Sequence, residues 1–380
     1  MLGAGGVAAL ALYIHLSGAQ PAKAPLFLIG LAMGLALYHA AFGFTGAYRR
    51  AIVDKDMTGI IAQAVMLGLA MILFAPALAA GQAFGRPVGG AVAPVGVSMA
   101  FGAFLFGIGM QLGGGCASGT LFTAGGGSVR MVLVLVFFCL GCFWATFHLG
   151  WWWTLPELGA VSLAKEMGWP AALALQGVLL GGIVLALYRF GARALRPLWF
   201  AGGFRGGFSW RLLMQGPWPL LIAAVALALL NWATLVSAGH PWSITWGFTL
   251  WAAKAASFLG WEPATQAFWV DGFPERALRR PLLADTTTVM NAGILIGAFA
   301  AAALAGRIRP DFRIPARSLL AAVLGGLIMG YGARLAYGCN IGAFFSGVAS
   351  TSLHGWVWIA AAGAGNVIGV KLRPAFGLAN

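Results

Sequence analysis

A succession of long apolar runs with almost no charged residues is the feature that most constrains how this chain can fold. Of its 380 residues, 61% are hydrophobic and 8% are charged. Soluble domains carry roughly a quarter charged residues, so this chain cannot cover a water-facing surface. The runs are continuous and have the length of membrane-spanning helices. The sequence predicts an all-α polytopic membrane protein with about nine transmembrane helices and additional short helices that are re-entrant or broken.

The basic residues predict the orientation of the chain in the membrane. The net charge is +14, and most Lys and Arg side chains lie in short loops between apolar runs. Because positive loops stay in the cytoplasm, the charge reflects topology, and we expect no nucleic-acid partner. The more basic side includes Lys23, residues 189–211 and the C-terminus, so the C-terminus is predicted to be cytoplasmic. The basic balance also favours an anionic substrate.

A glycine-cysteine motif occurs twice, once in each half of the chain. Alignment of Cys116 with Cys339 brings the flanking glycines into register, so that Gly102, Gly107, Gly109, Gly115 and Gly119 fall on Gly325, Gly330, Gly332, Gly338 and Gly342. A weaker repeat aligns FGFTGAYRR (42–50) with WGFTLWAAK (246–254). Chance rarely places so many identical residues in register, so the second half of the chain repeats the first.

These repeats predict two halves of opposite orientation. We interpret the weaker repeat as two re-entrant segments, at 26–44 and 244–260, and residues 2–16 as a retained helix. An odd number of crossings then separates equivalent helices, which makes the repeat inverted, as in many transporters. The predicted division is into residues 1–150 as the first half, 151–211 as an outward loop, linking span and basic cytoplasmic loop, and 212–380 as the second half.

The Gly-Cys-x-x-Gly motif has the composition of an anion-binding break in a helix. A break within the membrane frees backbone N–H groups, which bind anions together with the positive end of the next helix. A neutral thiol adds a weak, polarizable donor. A buried cysteine is often only a small hydrophobic residue, but duplication in register favours a role in transport. We therefore predict a substrate pathway lined by the motif residues and their polar neighbours: Cys116, Cys339, Gly115, Gly119, Gly338, Gly342, Ser118 and Asn340.

Two cations and two threonines extend the predicted pathway. Arg334 and Lys254 lie within apolar segments, where a charge is costly and usually serves a function. Either could attract an anion, although each could instead extend toward the membrane surface. Thr45 and Thr249 occupy equivalent positions in the weaker repeat and would add hydroxyl groups. We predict neither a metal nor another cofactor.

A Cys-x-x-Cys pair, Cys139 and Cys142, supports an alternative function. In a thioredoxin-like fold this spacing marks a redox site, so a membrane thiol oxidoreductase is the alternative to a transporter. The pair lies in the apolar run VLVLVFFCLGCFWATF, which contains no charged residue. Helix packing is therefore the favoured interpretation of the pair, and we expect no enzymatic activity.

The two cysteine motifs carry a resemblance to a known family. The segments LGGGCASGTLF (112–122), YGCNIGAFFSGVASTSLHGW (337–356) and WGFTLWAAK (246–254) resemble the YeeE/YedE sulfur-transport family of bacterial membrane proteins. The resemblance implies a permease of the inner membrane that imports thiosulfate or a related sulfur oxyanion. It also implies that Cys116 and Cys339 contact the substrate through S–H hydrogen bonds, and that a cytoplasmic sulfur-carrier protein is a partner.

The sequence departs from the family pattern at one point. The importers of the family carry a further cysteine near the segment that corresponds to FGFTGAYRR, where this chain has Phe44 and Thr45. The Thr45 hydroxyl could take the place of that thiol. Thiosulfate is the leading substrate, and another sulfur compound or a selenium compound is the alternative within the same family.

Overall fold

The protein is almost entirely helical. The computed structural model describes residues 2–191, 210–308 and 310–380. The α-helices of these residues are α1 (Leu2–Ala19), α2 (Ala24–Ala40), α3 (Phe44–Val53), α4 (Thr58–Ala80), α5 (Val97–Gly113), α6 (Ala117–Gly125), α7 (Val129–Ala145), α8 (Leu149–Trp152), α9 (Leu163–Met167), α10 (Trp169–Gly191), α11 (Trp210–Gln215), α12 (Leu220–Ala238), α13 (Thr245–Phe258), α14 (Gly272–Arg279), α15 (Thr286–Leu304), α16 (Ala316–Leu335), α17 (Ser346–Ala349) and α18 (Leu353–Leu372). A π-helix, Asn340–Phe345, precedes α17.

The strands of the described residues are short and pair in twos. Strand β1 (Gln82–Ala83) is antiparallel to β2 (Arg86–Pro87), and β3 (Pro94–Gly96) is antiparallel to β4 (Glu157–Ala160). The second pair joins the loop before α5 to the loop after α8, so it holds together two connections outside the helix bundle.

Eight helical segments of the described residues are long and apolar enough to cross a membrane: Pro21–Val53, Thr58–Ala80, Val97–Gly125, Trp169–Arg189, Leu220–Ala238, Thr286–Leu304, Ala316–Ala349 and Leu353–Phe376. Two shorter apolar helices, Gly5–Ala19 and Val129–Ala145, accompany them. The prediction of an all-α polytopic membrane protein is confirmed.

The prediction that residues 26–44 are re-entrant is wrong. Helix α2 occupies this region, packs lengthwise against α15 and belongs to a candidate membrane span. The chain turns at Ala41, whose φ is +46°, and the short helix α3 then begins at Phe44. The weaker repeat aligns residues 42–50, most of which lie in α3, with residues 246–254 of α13, so the counterpart of α13 is α3 and not α2. In the second half, residues 244–260 form α13, which is not among the eight candidate spans.

The inverted repeat is visible where α5 and α16 cross. A Cβ atom at Gly102 would lie 2.7 Å from the carbonyl oxygen of Gly332, and one at Gly109 would lie 2.8 Å from that of Gly325. In the sequence repeat, Gly102 corresponds to Gly325 and Gly109 to Gly332, so each contact is the image of the other. Such an exchange requires a two-fold relation in which equivalent helices run antiparallel. Small residues permit this close approach of two helices.

The other helix contacts follow the same two-fold relation. Helix α7 packs against α16 as α18 packs against α5, and α2 packs against α15 as α12 packs against α4. Helix α1 contacts α15, and α10 makes the corresponding contact with α4. The division of the chain at residues 150 and 211 stays a prediction, and most of its basic loop, residues 192–209, lies outside the described residues.

The helix ends form two faces, which we call the basic face and the aromatic face. The basic face contains the ends of α5 and α18 and the beginnings of α7 and α16. There, Arg130 donates to Ser318 Oγ at 2.9 Å, and Arg373 donates to the carbonyl oxygen of Gln111 at 2.6 Å. The aromatic face contains the opposite helix ends and the loops at 146–168 and 259–285, where many of the tryptophans lie.

Lys23 lies on the aromatic face, contrary to the prediction that it belongs with the basic loops. Its ammonium group donates to the hydroxyl of Thr286 at the beginning of α15. The reason is that α2 spans the bundle, which places the residues before it on the face opposite to the residues after it. The prediction failed because it treated the same segment as re-entrant.

Candidate substrate pathway

Cys116 is the N-cap of the short helix α6. After α5 ends, Gly114 adopts a φ of +88°, and Cys116 follows with extended backbone angles of −78° and −171°. The thiol is fully buried and lies 3.3 Å from Ser118 Oγ. The backbone N–H groups of Ser118, Gly119 and Phe44 lie within hydrogen-bonding range of the sulfur. The thiol therefore occupies the positive end of a helix.

Cys339 occupies the equivalent place in the second half. Gly338 has a φ of +150°, and Cys339 is the extended N-cap of the π-helix that continues into α17. Its thiol is also buried, and the N–H groups of Ile341 and Gly342 lie within hydrogen-bonding range of the sulfur. These are the same two positions relative to the cysteine as in the first half. Both long helices thus break at the motif, and each break presents one thiol.

The glycine before each cysteine is required by close packing of the break. A Cβ atom at Gly115 would lie 3.0 Å from the backbone nitrogen of Thr120, and one at Gly338 would lie 2.9 Å from that of Ala343. These contacts are equivalent under the repeat. In each half, the chain folds back against the first turn of the helix that follows, and a larger residue before the cysteine would force it away.

Polar side chains form a series from the aromatic face to the basic face: Arg334, Cys142, Cys339, Cys116 and Tyr48. The backbone of Cys142 lies against Gly330, one turn before Arg334 in α16. The short helices that begin at Cys339 and Cys116 contact each other, and Tyr48 is hydrogen-bonded to the residue after Cys339. The two predicted cysteines are therefore brought into the same part of the bundle, each by a short helix from an opposite half.

Arg334 is an uncompensated cation at the aromatic-face end of this series. Its guanidinium carbon lies 5.9 Å from the ring centroid of Trp246 and 5.6 Å from that of Phe268. Its Nε is buried and has no hydrogen-bond partner, and no acidic side chain in the described part of the chain forms an ion pair with it. The side chain as a whole is partly exposed, and its Nε is the enclosed atom. A cation within an apolar segment is costly and usually serves a function, which makes Arg334 a candidate to contact an anion.

Lys254, in contrast, is not brought to the cysteines. Its ammonium group donates to the carbonyl oxygens of Leu278 at 2.6 Å and Arg280 at 2.7 Å, at the C-terminal end of α14. A cation at this position satisfies the free carbonyl groups of a helix end. The side chain thus has a structural task in the loop of the aromatic face.

The two predicted threonines lie in the equivalent short helices α3 and α13. Thr45 is in the first turn of α3, and its buried hydroxyl has no hydrogen-bond partner. Thr249 is buried in α13 and donates to the carbonyl oxygen of Thr245 at 3.1 Å. Helix α13 packs against α7, the helix that carries Cys142.

A polar network that the sequence analysis missed closes the basic-face end of the series. Gln111 Nε2 donates to Asn366 Oδ1 at 2.7 Å and to the carbonyl oxygen of Thr45 at 3.2 Å. Both Gln111 and Asn366 are buried. The sequence did carry a signal for each, because Gln111 aligns with Arg334 in the repeat and Asn366 is a polar residue within the last apolar run.

Tyr48 is a second missed residue. Its hydroxyl accepts a hydrogen bond from Asn340 Nδ2 at 3.4 Å, while Asn340 Oδ1 has no partner. Tyr48 lies in α3, within the segment of the weaker repeat, and only the fold brings it to the second cysteine motif. Within the described residues, no group of three or more His, Cys, Asp or Glu side chains could hold a metal ion.

Comparison with known proteins agrees with the geometry of the paired cysteine breaks. The profile of the family described as sulphur transport matches residues 39–368. The chain belongs to the sulphur transport family. The match spans both cysteine motifs and both segments of the weaker repeat, which confirms the resemblance.

Two thiosulfate transporters are similar to this chain along most of its length, and a probable transporter is similar to less than half of it. The thiosulfate transporter TsuA of Spirochaeta thermophila is 29% identical over 87% of this chain and 92% of its own length. The thiosulfate transporter TsuA of Escherichia coli is 23% identical over 87% of this chain and 88% of its own. The probable transporter YedE of Escherichia coli is 31% identical, but over 44% of this chain and 41% of its own. All three are named as transporters, which favours transport over a thiol oxidoreductase.

Proposed function

We propose that the protein imports a small sulfur-containing anion, with thiosulfate as the leading substrate, along a pathway that passes Arg334, Cys339 and Cys116. The observation that carries this proposal is the contact between two short helices from opposite halves of the bundle, each of which has a buried thiol at its N-terminal end. The relatives named as thiosulfate transporters support the same substrate class.

The chemistry of the two breaks suits thiosulfate. This anion has a large, polarizable terminal sulfur and oxygen atoms that accept hydrogen bonds. Backbone N–H groups at a helix N-terminus attract the charge, and neutral thiols donate weak hydrogen bonds. Transport requires binding that is weak enough for release, and thiols meet this requirement better than fixed charges.

The proposal includes an orientation. The basic face contains Arg130, Arg317 and Arg373, so the positive-inside rule places it, with the C-terminus, in the cytoplasm. We propose that the protein lies in the bacterial inner membrane and that the substrate enters from the aromatic face, where Arg334 attracts it. A sulfur-carrier protein would collect the substrate at the basic face.

A growth assay tests the proposed function. The gene is expressed in a bacterial strain whose growth on thiosulfate requires an importer. We expect the wild-type gene to restore growth, and Cys116→Ala and Cys339→Ala each to abolish it. Cys139→Ala serves as the control, because Cys139 is a buried cysteine outside the series. Immunoblots of membranes check that each variant is present.

Two results would count against the proposal. Failure of the wild-type gene to restore growth, with the protein present in the membrane, would exclude thiosulfate as the substrate. If both cysteine variants grow at the wild-type rate, thiosulfate remains the substrate, but the two thiols are not required for its transport.

A further inference from the structure

We infer that Cys142 is a third substrate-binding thiol, placed between Arg334 and Cys339 on the aromatic-face side of the pathway. This inference rests on the proposed function and names an additional binding residue for it. The sequence suggested only helix packing for Cys142, because its neighbours along α7 are apolar.

The packing of α7 against α16 sets the position of Cys142. A Cβ atom at Gly330 would lie 2.7 Å from the backbone nitrogen of Cys142, so the two helices touch through their backbones at this level. The Cys142 side chain is fully buried, and one turn before it the ring of Phe138 packs against Phe248 of α13 with centroids 4.9 Å apart. Cys142 therefore sits where three elements meet: α7, the end of α16, and the short helix α13.

The unpaired guanidinium of Arg334 indicates that this junction receives an anion. Arg334 lies one turn after Gly330, the residue against which the Cys142 backbone packs, and the buried Nε of Arg334 has no hydrogen-bond partner. An anion that neutralises Arg334 would arrive beside Cys142 before it reaches Cys339. The series of thiols then begins at the residue that attracts the substrate.

The Cys142 thiol can donate its proton to such an anion. The hydroxyl of Thr249, on the neighbouring helix α13, donates its own proton to the carbonyl oxygen of Thr245 at 3.1 Å and therefore does not supply one to an anion at this position. A neutral thiol is a weak donor, and an anion is a stronger acceptor than a hydroxyl oxygen.

Cys139, one turn earlier on α7, provides the contrast. It is also buried, but α7 and α16 run side by side in the same direction, so Cys139 lies one turn farther from Arg334 than Cys142 does. In the second half, the contact of Cys142 with Gly330 is matched by that of Asn366 with Gly107, where a Cβ atom would lie 2.9 Å from the Asn366 nitrogen, so the additional thiol exists only on the side of Arg334. This asymmetry separates Cys142 from a residue retained for helix packing.

Uptake kinetics test the inference. Radiolabelled thiosulfate uptake is measured for the wild type, Cys142→Ala, Cys142→Ser and the matched control Cys139→Ala. We expect Cys142→Ala to raise the half-saturating concentration about fivefold or more, as loss of a hydrogen bond to an anion would. Cys142→Ser should recover part of the loss, and Cys139→Ala should match the wild type. Equal half-saturation for Cys142→Ala and the wild type would overturn the inference.

A labelling experiment decides the role of Cys142 even if thiosulfate is not the substrate. Two full-length variants keep Cys142 or Cys139 as the one remaining cysteine, with serine at the other three positions, and both are treated with an anionic methanethiosulfonate reagent. We expect faster labelling of Cys142 than of Cys139, and a lower rate at Cys142 after Arg334→Gln. Equal labelling of the two cysteines would overturn the inference, whereas absence of thiosulfate uptake by the wild type would overturn only the proposed function.

Discussion

At the residue scale, the pair Gln111 and Arg334 shows how this protein departs from its own symmetry. The two residues occupy the same position in the repeat, five residues before a cysteine. The Gln111 amide nitrogen donates to Asn366 and to the backbone of α3, although its Oε1 has no partner, whereas Arg334 has aromatic rings beside it and an Nε without an acceptor. One end of the series is therefore closed by a neutral network, and the other presents an unpaired positive charge.

Arg334→Gln should weaken substrate binding while the protein stays folded. A hydrogen bond to a charged group contributes about 1.5–3 kcal/mol, so the half-saturating concentration of thiosulfate should rise by about tenfold or more. Lys254→Gln is the matched control, because Lys254 is a cation on the same face whose ammonium group already binds two carbonyl oxygens. Uptake kinetics that change equally in both variants would contradict a specific role for Arg334.

Asn366→Ala should destabilise the closed end of the series. The substitution leaves a buried donor of Gln111 without its acceptor, which costs about 1 kcal/mol and lowers the melting temperature in detergent. Val367→Ala, one residue along α18 and partly exposed on the bundle surface, is the control. The same melting temperature for Asn366→Ala and Val367→Ala would show that the network does not stabilise the fold.

At the element scale, the bundle depends on helices that approach through glycines. Gly365 of α18 faces the backbone of Phe104 in α5, and Gly141 of α7 makes the equivalent approach to Leu327 in α16. These contacts bring the broken helices together, because a side chain at either position would separate the helices that carry the cysteines.

Gly365→Ala should disrupt this contact, whereas Gly363→Ala should not. A Cβ atom at Gly365 would overlap the carbonyl oxygen of Phe104, but one at Gly363 has no neighbour within 4 Å. Overpacking typically costs about 1–3 kcal/mol, so Gly365→Ala should lower the melting temperature. Gly363→Ala favours the helix and should leave the melting temperature unchanged or raise it. If both variants have the same melting temperature, the close contact at Gly365 does not stabilise the packing of α18 against α5.

At the scale of the whole molecule, the distribution of basic residues and the path of α2 determine the topology. The basic face contains the loop with Lys55, and the aromatic face contains the turn at Pro21–Lys23, which the sequence analysis had assigned to the opposite side. The four native cysteines are buried, so a cysteine introduced in a loop can be labelled against a low background.

Labelling from outside the cell should separate these two loops. A cysteine at Ala22, which is exposed beside Lys23, should react with a membrane-impermeant maleimide in cells with a permeabilised outer membrane. Lys55→Cys should react only after the inner membrane is opened, because the basic face is expected in the cytoplasm. The reverse pattern would invert the proposed orientation, and labelling of both from outside would contradict the spanning of α2.

Much of the fold and part of the site were predictable from the sequence. The lack of charge predicted a helical membrane protein, and the glycines in register with Cys116 and Cys339 predicted the breaks that the structure contains. The path of α2 was mispredicted because the weaker repeat was assigned to residues 26–44, whereas most of the repeated residues lie in α3, and the side of Lys23 was misassigned as a consequence. Lys254 binds carbonyl oxygens at the end of α14, and this contact between two helices could not be predicted from the residues around Lys254 in α13.

The sequence by itself determined the membrane environment, the two-fold relation of the halves and the places where helices break, because these follow from hydrophobicity and from the register of a repeat. Only the tertiary structure decided which side chains meet. Cys142 and Cys139 are indistinguishable along α7, yet the packing of α7 against α16 places Cys142 one turn closer to Arg334 than Cys139. Neighbours of this kind come from different helices, and their proximity is set by how backbones pack.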